Sequence, residues 1–390
     1  MIDAPVNSKP EKAADGMGDG KEQKLPQRDW ILLPGLSLLT ICLMVASAEI
    51  IGQCMFPETK TNMSRCTMAT NPSTGVHAIP NTVCTEQFSE GGLIEYRFNG
   101  CGHRAGMECE PKQPGAYRIV MVGSSIALGA YLPREKTFAA LLPTELSSRT
   151  GRRIDLYNES FFFESPRVVA LRLNEALAAK PDMILWILSP WDIDNASLLL
   201  PAHVAPKAGL VTTAFGLAKT SRAGVLLQHF LYKSPNSFVK QYLIGGGGSG
   251  FLDSNLSPEW QRHLHEIDGY ASEIEARAKA AGVPVAVVLV PFRAQAAMIS
   301  EGEWLAGFDP YKLDRELRTI VVDRGGTYLD ILPGFRHIPN TEQDFFVTDG
   351  HPNAAGHLII SELLTKELTS GAVPALRAVV GLQTEKEASR

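Results

Sequence analysis

One long stretch of the chain is both predominantly apolar and without charge. From Trp30 to Ala48, "WILLPGLSLLTICLMVASA" runs for about 19 residues without Asp, Glu, Lys or Arg, long enough to cross a bilayer as a helix. It is apolar on every face, unlike a core helix with one wet side. Residues 1–29 ahead of it are polar and lack a periodic apolar face, which predicts a disordered tail. Beyond Gly115 the pattern changes. Short apolar blocks, "YRIVMVG" (Tyr117–Gly123), "RIDLYNES" (Arg153–Ser160), "DMILWILSP" (Asp182–Pro190), "VPVAVVLVPF" (Val283–Phe292) and "TYLDILP" (Thr327–Pro333), read as strands covered on both faces.

Helix-period blocks fall between them. "PREKTFAALLPTEL" follows the first strand, and Val169, Leu173 and Leu177 share a face of the next helix. After "SPEW", with Ser257 as cap and Pro258 in the first turn, Trp260, Leu264, Ile267, Ala271, Ile274, Ala278 and Ala281 recur at helical spacing until Gly282. A last helix follows Asn353. Alternating strands and helices predict an α/β fold, a flavodoxin-like three-layer sandwich around a five-stranded parallel sheet, preceded by a single transmembrane helix.

The implied organisation is a tail (1–29), an anchor (30–52), a Cys-containing linker or subdomain (53–115), a main domain (116–375) with an insertion at about 196–256, and a tail (376–390). The insertion breaks the alternation and reads as a lid-like flap. Its "IGGGGSG" is a flexible connector, because no Lys-Ser/Thr pair follows to make a phosphate loop.

Lys21, Lys24 and Arg28 precede the apolar run, whereas Glu49 and Glu58 follow it, with Lys60 and Arg65 further on. That asymmetry puts the N-terminus in the cytoplasm and the bulk of the chain outside. "ASA" at Ala46–Ala48 also resembles a signal-peptidase site, but the run exceeds the usual signal core; either reading exports the rest. Cysteine placement agrees. Cys42 lies in the run, while Cys54, Cys66, Cys84, Cys101 and Cys109 all precede the first strand of the main domain in loop-like sequence, where disulfides stabilise most outside reducing compartments. Cys66–Cys84 and Cys101–Cys109 are the expected pairs, although spacing alone does not decide connectivity. No CxxC pair supports a zinc site. The formal net charge of -5, without a basic stripe, argues against nucleic acid.

"VMVGSSIALG" (Val120–Gly129) places two serines at the C-terminal end of a buried strand, where such sheets bind ligands. A serine nucleophile needs a base. Of nine histidines, His351 in "VTDGHPNAAGH" (Val347–His357) is the best candidate, since it sits in a turn at the same rim with Asp349 two residues before it to orient the ring. His357 opens the last helix and is expected to pack or cap. His263 and His265 are two apart on a helix and face different ways, and HExxH is absent, so no metal or other cofactor is expected.

Here the blocks resemble a family. "VMVGSSIALGAYLPREKTFAALL" is similar to the first block of the SGNH/GDSL hydrolase superfamily, in which a strand ends in Gly-Asp-Ser before a further Gly and a Thr-Phe-containing helix. "DGHPNAAGH" is similar to the last block, and "KPDMILWILSPWDIDN" to the third. "NGCGHRAGMECEPKQPGAYRIV" resembles the approach in membrane-anchored bacterial members. The resemblance spans about Tyr96 to Leu368. It implies Ser125 as nucleophile after Gly123, His351 as base and Asp349 as the third member. Ser124 replaces the family aspartate, and Thr348 stands where the more common triad aspartate would be. Ser160 stands at the second-block oxyanion glycine. Ser189-Pro190-Trp191-Asp192 replaces Gly-x-Asn-Asp, so Trp191 takes the asparagine's place, and the Trp191 indole, Asn195 or Asn158 become the candidate substitute donors. The implied function is a membrane-anchored serine esterase or deacylase of the bacterial inner membrane, facing the periplasm or extracytoplasmic space, acting on an acylated glycan or lipid ester. The alternatives are an O-acyltransferase using the same site and an inactive envelope protein on this fold.

Overall fold

The computed structural model describes residues 28–68, 75–199, 221–244 and 248–379. Most of the expected N-terminal tail, the centre of the insertion, the middle of the glycine run and most of the C-terminal tail lie outside the described residues. Residues 1–47 and 48–390 form separate compact units. In the first, a helix begins at Asp29 and exposes its apolar side chains. It continues to Met55, long and apolar enough to cross a membrane.

Among the described residues, the second unit holds two sheets. The larger is parallel, with strands β4 (Tyr117–Gly123), β5 (Ile154–Asn158), β6 (Met183–Leu188), β7 (Val285–Leu289) and β8 (Thr327–Leu329) in the order β5-β4-β6-β7-β8. Every residue of β4 to β7 is buried. Their sequence is mostly apolar, with Arg118, Asp155 and Asn158 as buried exceptions, as suits strands that helices cover on both faces. The strand order is that of flavodoxin-like sheets, whose ligand crevice opens at the switch point between the first and third parallel strands, here β4 and β6.

The helices follow their caps and stripes. In Pro258–Ala280, Ser257 Oγ accepts from the Trp260 N–H at 3.3 Å, and Trp260, Leu264, Ile267, Ala271, Ile274 and Ala278 are buried. Ala281, the last position of the expected stripe, is exposed, because the helix has already ended in its cap. His263 is buried and His265 exposed, on different faces as the spacing requires. The final helix, Ala354–Glu367, is capped by the Asn353 side chain.

The Cys-containing segment differs from its loop-like reading. Strands β1 (Lys60–Thr61), β2 (Val83–Gln87) and β3 (Leu93–Arg97) form a small antiparallel sheet. Cys84, Glu86, Ile94 and Tyr96 point inward and alternate with more exposed neighbours. The period of two is there, but a buried Cys and a buried Glu occupy two inward places, which hides the alternation from a reading of apolar residues. Disulfides join Cys66 to Cys84 and Cys101 to Cys109, with Cα–Cα separations of 6.1 and 5.8 Å.

Candidate active site

β4 ends in Gly123, and the backbone there is one that only glycine takes without strain. Its φ is +147°, and a Cβ would meet the Ile187 carbonyl oxygen at 2.5 Å. The chain turns sharply and Ser125 becomes the first residue of a one-turn helix, Ser125–Leu128. Its N–H therefore has no carbonyl partner within that helix. The turn is gripped from behind. Buried Arg104 donates to the carbonyls of Leu128, Gly129 and Leu132, at 2.9, 2.8 and 2.6 Å. The Asn158 amide donates to the Ala127 carbonyl at 2.9 Å. Gly129 comes so close to Thr137 that a Cβ would sit 2.2 Å from its methyl.

The loop before the final helix brings His351 to this turn from 226 positions away, with 2.8 Å between Ser125 Oγ and His351 Nε2. The other ring nitrogen, Nδ1, lies 2.5 Å from Asp349 Oδ1, which also accepts the His351 backbone N–H at 3.0 Å. A carboxylate only accepts, so Nδ1–H donates to Asp349, which in the neutral imidazole leaves the Nε2 lone pair to accept from the hydroxyl. The histidine and aspartate side chains are 22% and 23% exposed, open enough to meet a substrate. The Tyr131 ring stands edge-on to the imidazole, centroids 5.2 Å apart, and stacks on Phe88 at 4.0 Å. Burial pushes the Tyr131 phenol far above its usual range, and the nearby Asp349 charge adds to this, so the ring stays neutral beside the imidazole.

Glu90, in the β2–β3 turn, was not singled out from the sequence. Its side chain is only 4% exposed. Its carboxylate accepts the backbone N–H of Thr348 at 3.0 Å and of Asp349 at 2.9 Å, fixing the loop that carries Asp349 and His351. His229 from the insertion approaches the same carboxylate at 3.9 Å. Arg293 was also passed over. It lies just past the C-terminal end of β7 and is buried. It donates to the carbonyls of Glu342, Val347 and Tyr232, at 3.0, 2.6 and 2.5 Å, so it ties the insertion to the histidine loop. An arginine at the rim end of a parallel strand was the available signal for it. A glutamate in a short turn gave none for Glu90.

The other expected site residues are placed less simply. Ser160 is buried, and its N–H donates to Asn158 Oδ1 at 3.1 Å. The Asn195 amide donates to the Trp191 carbonyl at 2.9 Å. Trp191 borders the cavity above Ser125 together with Ser189, Phe162 and Phe163. Asp192 lies beneath, buried, accepting from the Ser189 N–H at 2.7 Å and Ser189 Oγ at 2.6 Å. Burial pushes its carboxyl up to about 6, against the opposing pull of these hydrogen bonds. His357 is buried, its Nδ1 accepts from the Phe138 N–H at 3.1 Å, and burial holds it neutral, its pKa near 3. It serves packing and capping.

The cavity holds about 470 Å³, a volume suited to a small organic group. Its far wall comes from the insertion, through Tyr232, Phe238, Gln241 and Tyr242. Among the described residues, no cluster of His, Cys, Asp and Glu side chains is gathered to hold a metal. The arrangement can deprotonate a hydroxyl and present it to an electrophile in an aromatic cavity.

No family model and no curated protein matches this sequence. Solved structures similar to the chain include TesA (14% identity over 65% of this chain and 98% of that one, TM-score 0.36). The psychrotrophic esterase EstA from Pseudoalteromonas sp. aligns at 12% identity over 65% and 97%, TM-score 0.36. The lipase/acylhydrolase from Enterococcus faecalis aligns at 14% over 65% and 95%, TM-score 0.34. At these values the likeness adds nothing to what the site's own geometry carries.

Proposed function

We propose that the chain is a serine ester hydrolase of the SGNH/GDSL type, tethered to a membrane by the helix that begins at Asp29 and working outside the cytoplasm. The observation that carries this reading is the 2.8 Å approach of Ser125 Oγ to His351 Nε2, with Asp349 on the opposite ring nitrogen. His351 takes the Ser125 proton as the hydroxyl attacks an ester carbonyl, and returns it to the departing alcohol. Water, activated by the same imidazole, then releases the acyl group from Ser125. The N–H of Ser125 and the Trp191 indole are the proposed partners of the oxyanion. Ser160 and Asn195 join them only after giving up the bonds described above. The ester is an acylated glycan or lipid of the cell envelope. The anchor and the two disulfides support an extracytoplasmic, bacterial inner-membrane setting.

The engaged Ser160 N–H favours a second reading, an inert scaffold that kept the fold. One assay separates the two. Turnover of p-nitrophenyl acetate by the full chain falls at least about 10³-fold in Ser125→Ala and in His351→Ala. Equal turnover by wild type and Ser125→Ala establishes the scaffold. Transfer of acetyl to an added oligosaccharide in preference to water would make the protein an O-acyltransferase with the same two residues.

A further inference from the structure

The described part of the insertion contains a helix with little to pack against. Arg222–Leu231, "RAGVLLQHFL", is mostly apolar, yet none of its residues is buried. Leu227, Phe230 and Leu231, spaced to share one face, are 60, 56 and 47% exposed. Three bare apolar side chains on one short helix call for a cover.

Where this helix is held points to what covers it. The carboxylate of Glu49, one residue past the charge-free run, accepts the backbone N–H groups of Arg222 and Ala223 at 3.2 and 2.8 Å. Gly52 lies so close that a Cβ there would meet the Arg222 carbonyl oxygen at 2.4 Å. Phe56 packs on His229, ring centroids 4.9 Å apart. The anchor helix rises about 1.5 Å per residue, so Gly52 lies roughly 6 Å beyond Ala48, within the headgroup depth of a bilayer that the run would cross. Lys233, just past the helix, supplies a cation for the headgroup level, as amphipathic interfacial helices do. The next residue after Leu231 is Tyr232, which lines the cavity above Ser125.

We propose that the helix Arg222–Leu231 beds its Leu227, Phe230 and Leu231 face into the lipid surface, so that the cavity beside it receives its acyl ester from a membrane amphiphile. This rests on the reading of the Asp29 helix as a membrane anchor, and its second half on Ser125 as nucleophile. The test uses the full chain in phosphatidylcholine vesicles. Leu227→Cys, in a Cys42→Ser, Cys54→Ser background, carries an environment-sensitive fluorophore, with Val322→Cys as the exposed control.

Brominated phosphatidylcholine is expected to quench the label at 227 while iodide in the water does not, with the reverse at 322. Iodide quenching at 227 overturns the proposal. So does protection from both quenchers, which would mean that protein covers the face, either residues 200–220 or a second copy. In Leu227→Ser/Phe230→Ser/Leu231→Ser, hydrolysis of p-nitrophenyl decanoate held in the vesicles should fall about tenfold or more, with p-nitrophenyl acetate in water unchanged. An equal fall on both esters, or none on either, overturns the membrane-borne substrate. Quenching needs no turnover, so loss of the catalytic reading leaves the lipid contact separately decided.

Discussion

The two loops that meet at the candidate site are held by different means. The Ser125 turn has many anchors: a glycine that admits its sharp bend, three carbonyls on one buried guanidinium, and an asparagine amide. The His351 loop is half-open, and takes a carboxylate anchor from Glu90, about 260 positions away on a different sheet. Ser125 is thus built into the end of the parallel sheet. The position of His351 depends on how a small disulfide-linked sheet docks beside it. Substitutions in the first loop should strike folding and activity together, and those in the second should strike activity and leave folding nearly whole.

The sharpest break comes at Gly123. In Gly123→Ala the new methyl collides with the Ile187 carbonyl at a positive φ, so the chain loses more than about 1 kcal/mol in urea denaturation. Displacement of Ser125 should also cost about 10²-fold in esterase kcat/KM. A stable, active Gly123→Ala would dissolve the contrast.

Glu90→Gln comes next. The carboxylate takes two backbone N–H groups, and charge-assisted bonds are roughly twice as strong as neutral ones. Esterase kcat should fall about tenfold with little change in KM or in the denaturation midpoint. A matching loss of stability would make Glu90 a fold residue only.

The smallest effect concerns pH and lies at Asp192. Burial raises the Asp192 carboxyl to about 6, above an unfolded value of about 3.9. A folded state that holds the proton more tightly gains stability that is full below about pH 4 and lost as pH rises through about 6. The melting temperature of Asp192→Asn relative to wild type should therefore rise between pH 4 and 7. A flat difference would mean that Asp192 is no more proton-binding folded than unfolded.

Much of this was legible along the chain. Mostly apolar blocks of five to seven residues marked β4 to β7, and the end of "YRIVMVG" in Gly-Ser-Ser marked the rim. The turn between strand and final helix that carries His351 was marked by its Gly-Pro-Asn sequence, and both disulfide pairs were the expected ones. The β2–β3 hairpin was harder to see, because Cys84 and Glu86 fill inward positions that a period-two reading expects to be apolar. Glu90 left no signal in the sequence and Arg293 only its place at the rim end of a strand, since what each does is bind backbone groups far away in sequence.

By itself, then, the sequence determined the layers: which blocks are buried on two faces, where helices start and stop, and which end of each strand carries polar turn residues. Those properties depend on neighbours a few positions away, through side-chain period and backbone preference. Only the tertiary structure decided that Ser125 and His351 lie within hydrogen-bond reach, that Glu90 anchors the histidine loop, and that the insertion walls the cavity. Such contacts join residues up to some 260 positions apart, and their geometry is set by packing of the whole core, which no local pattern encodes.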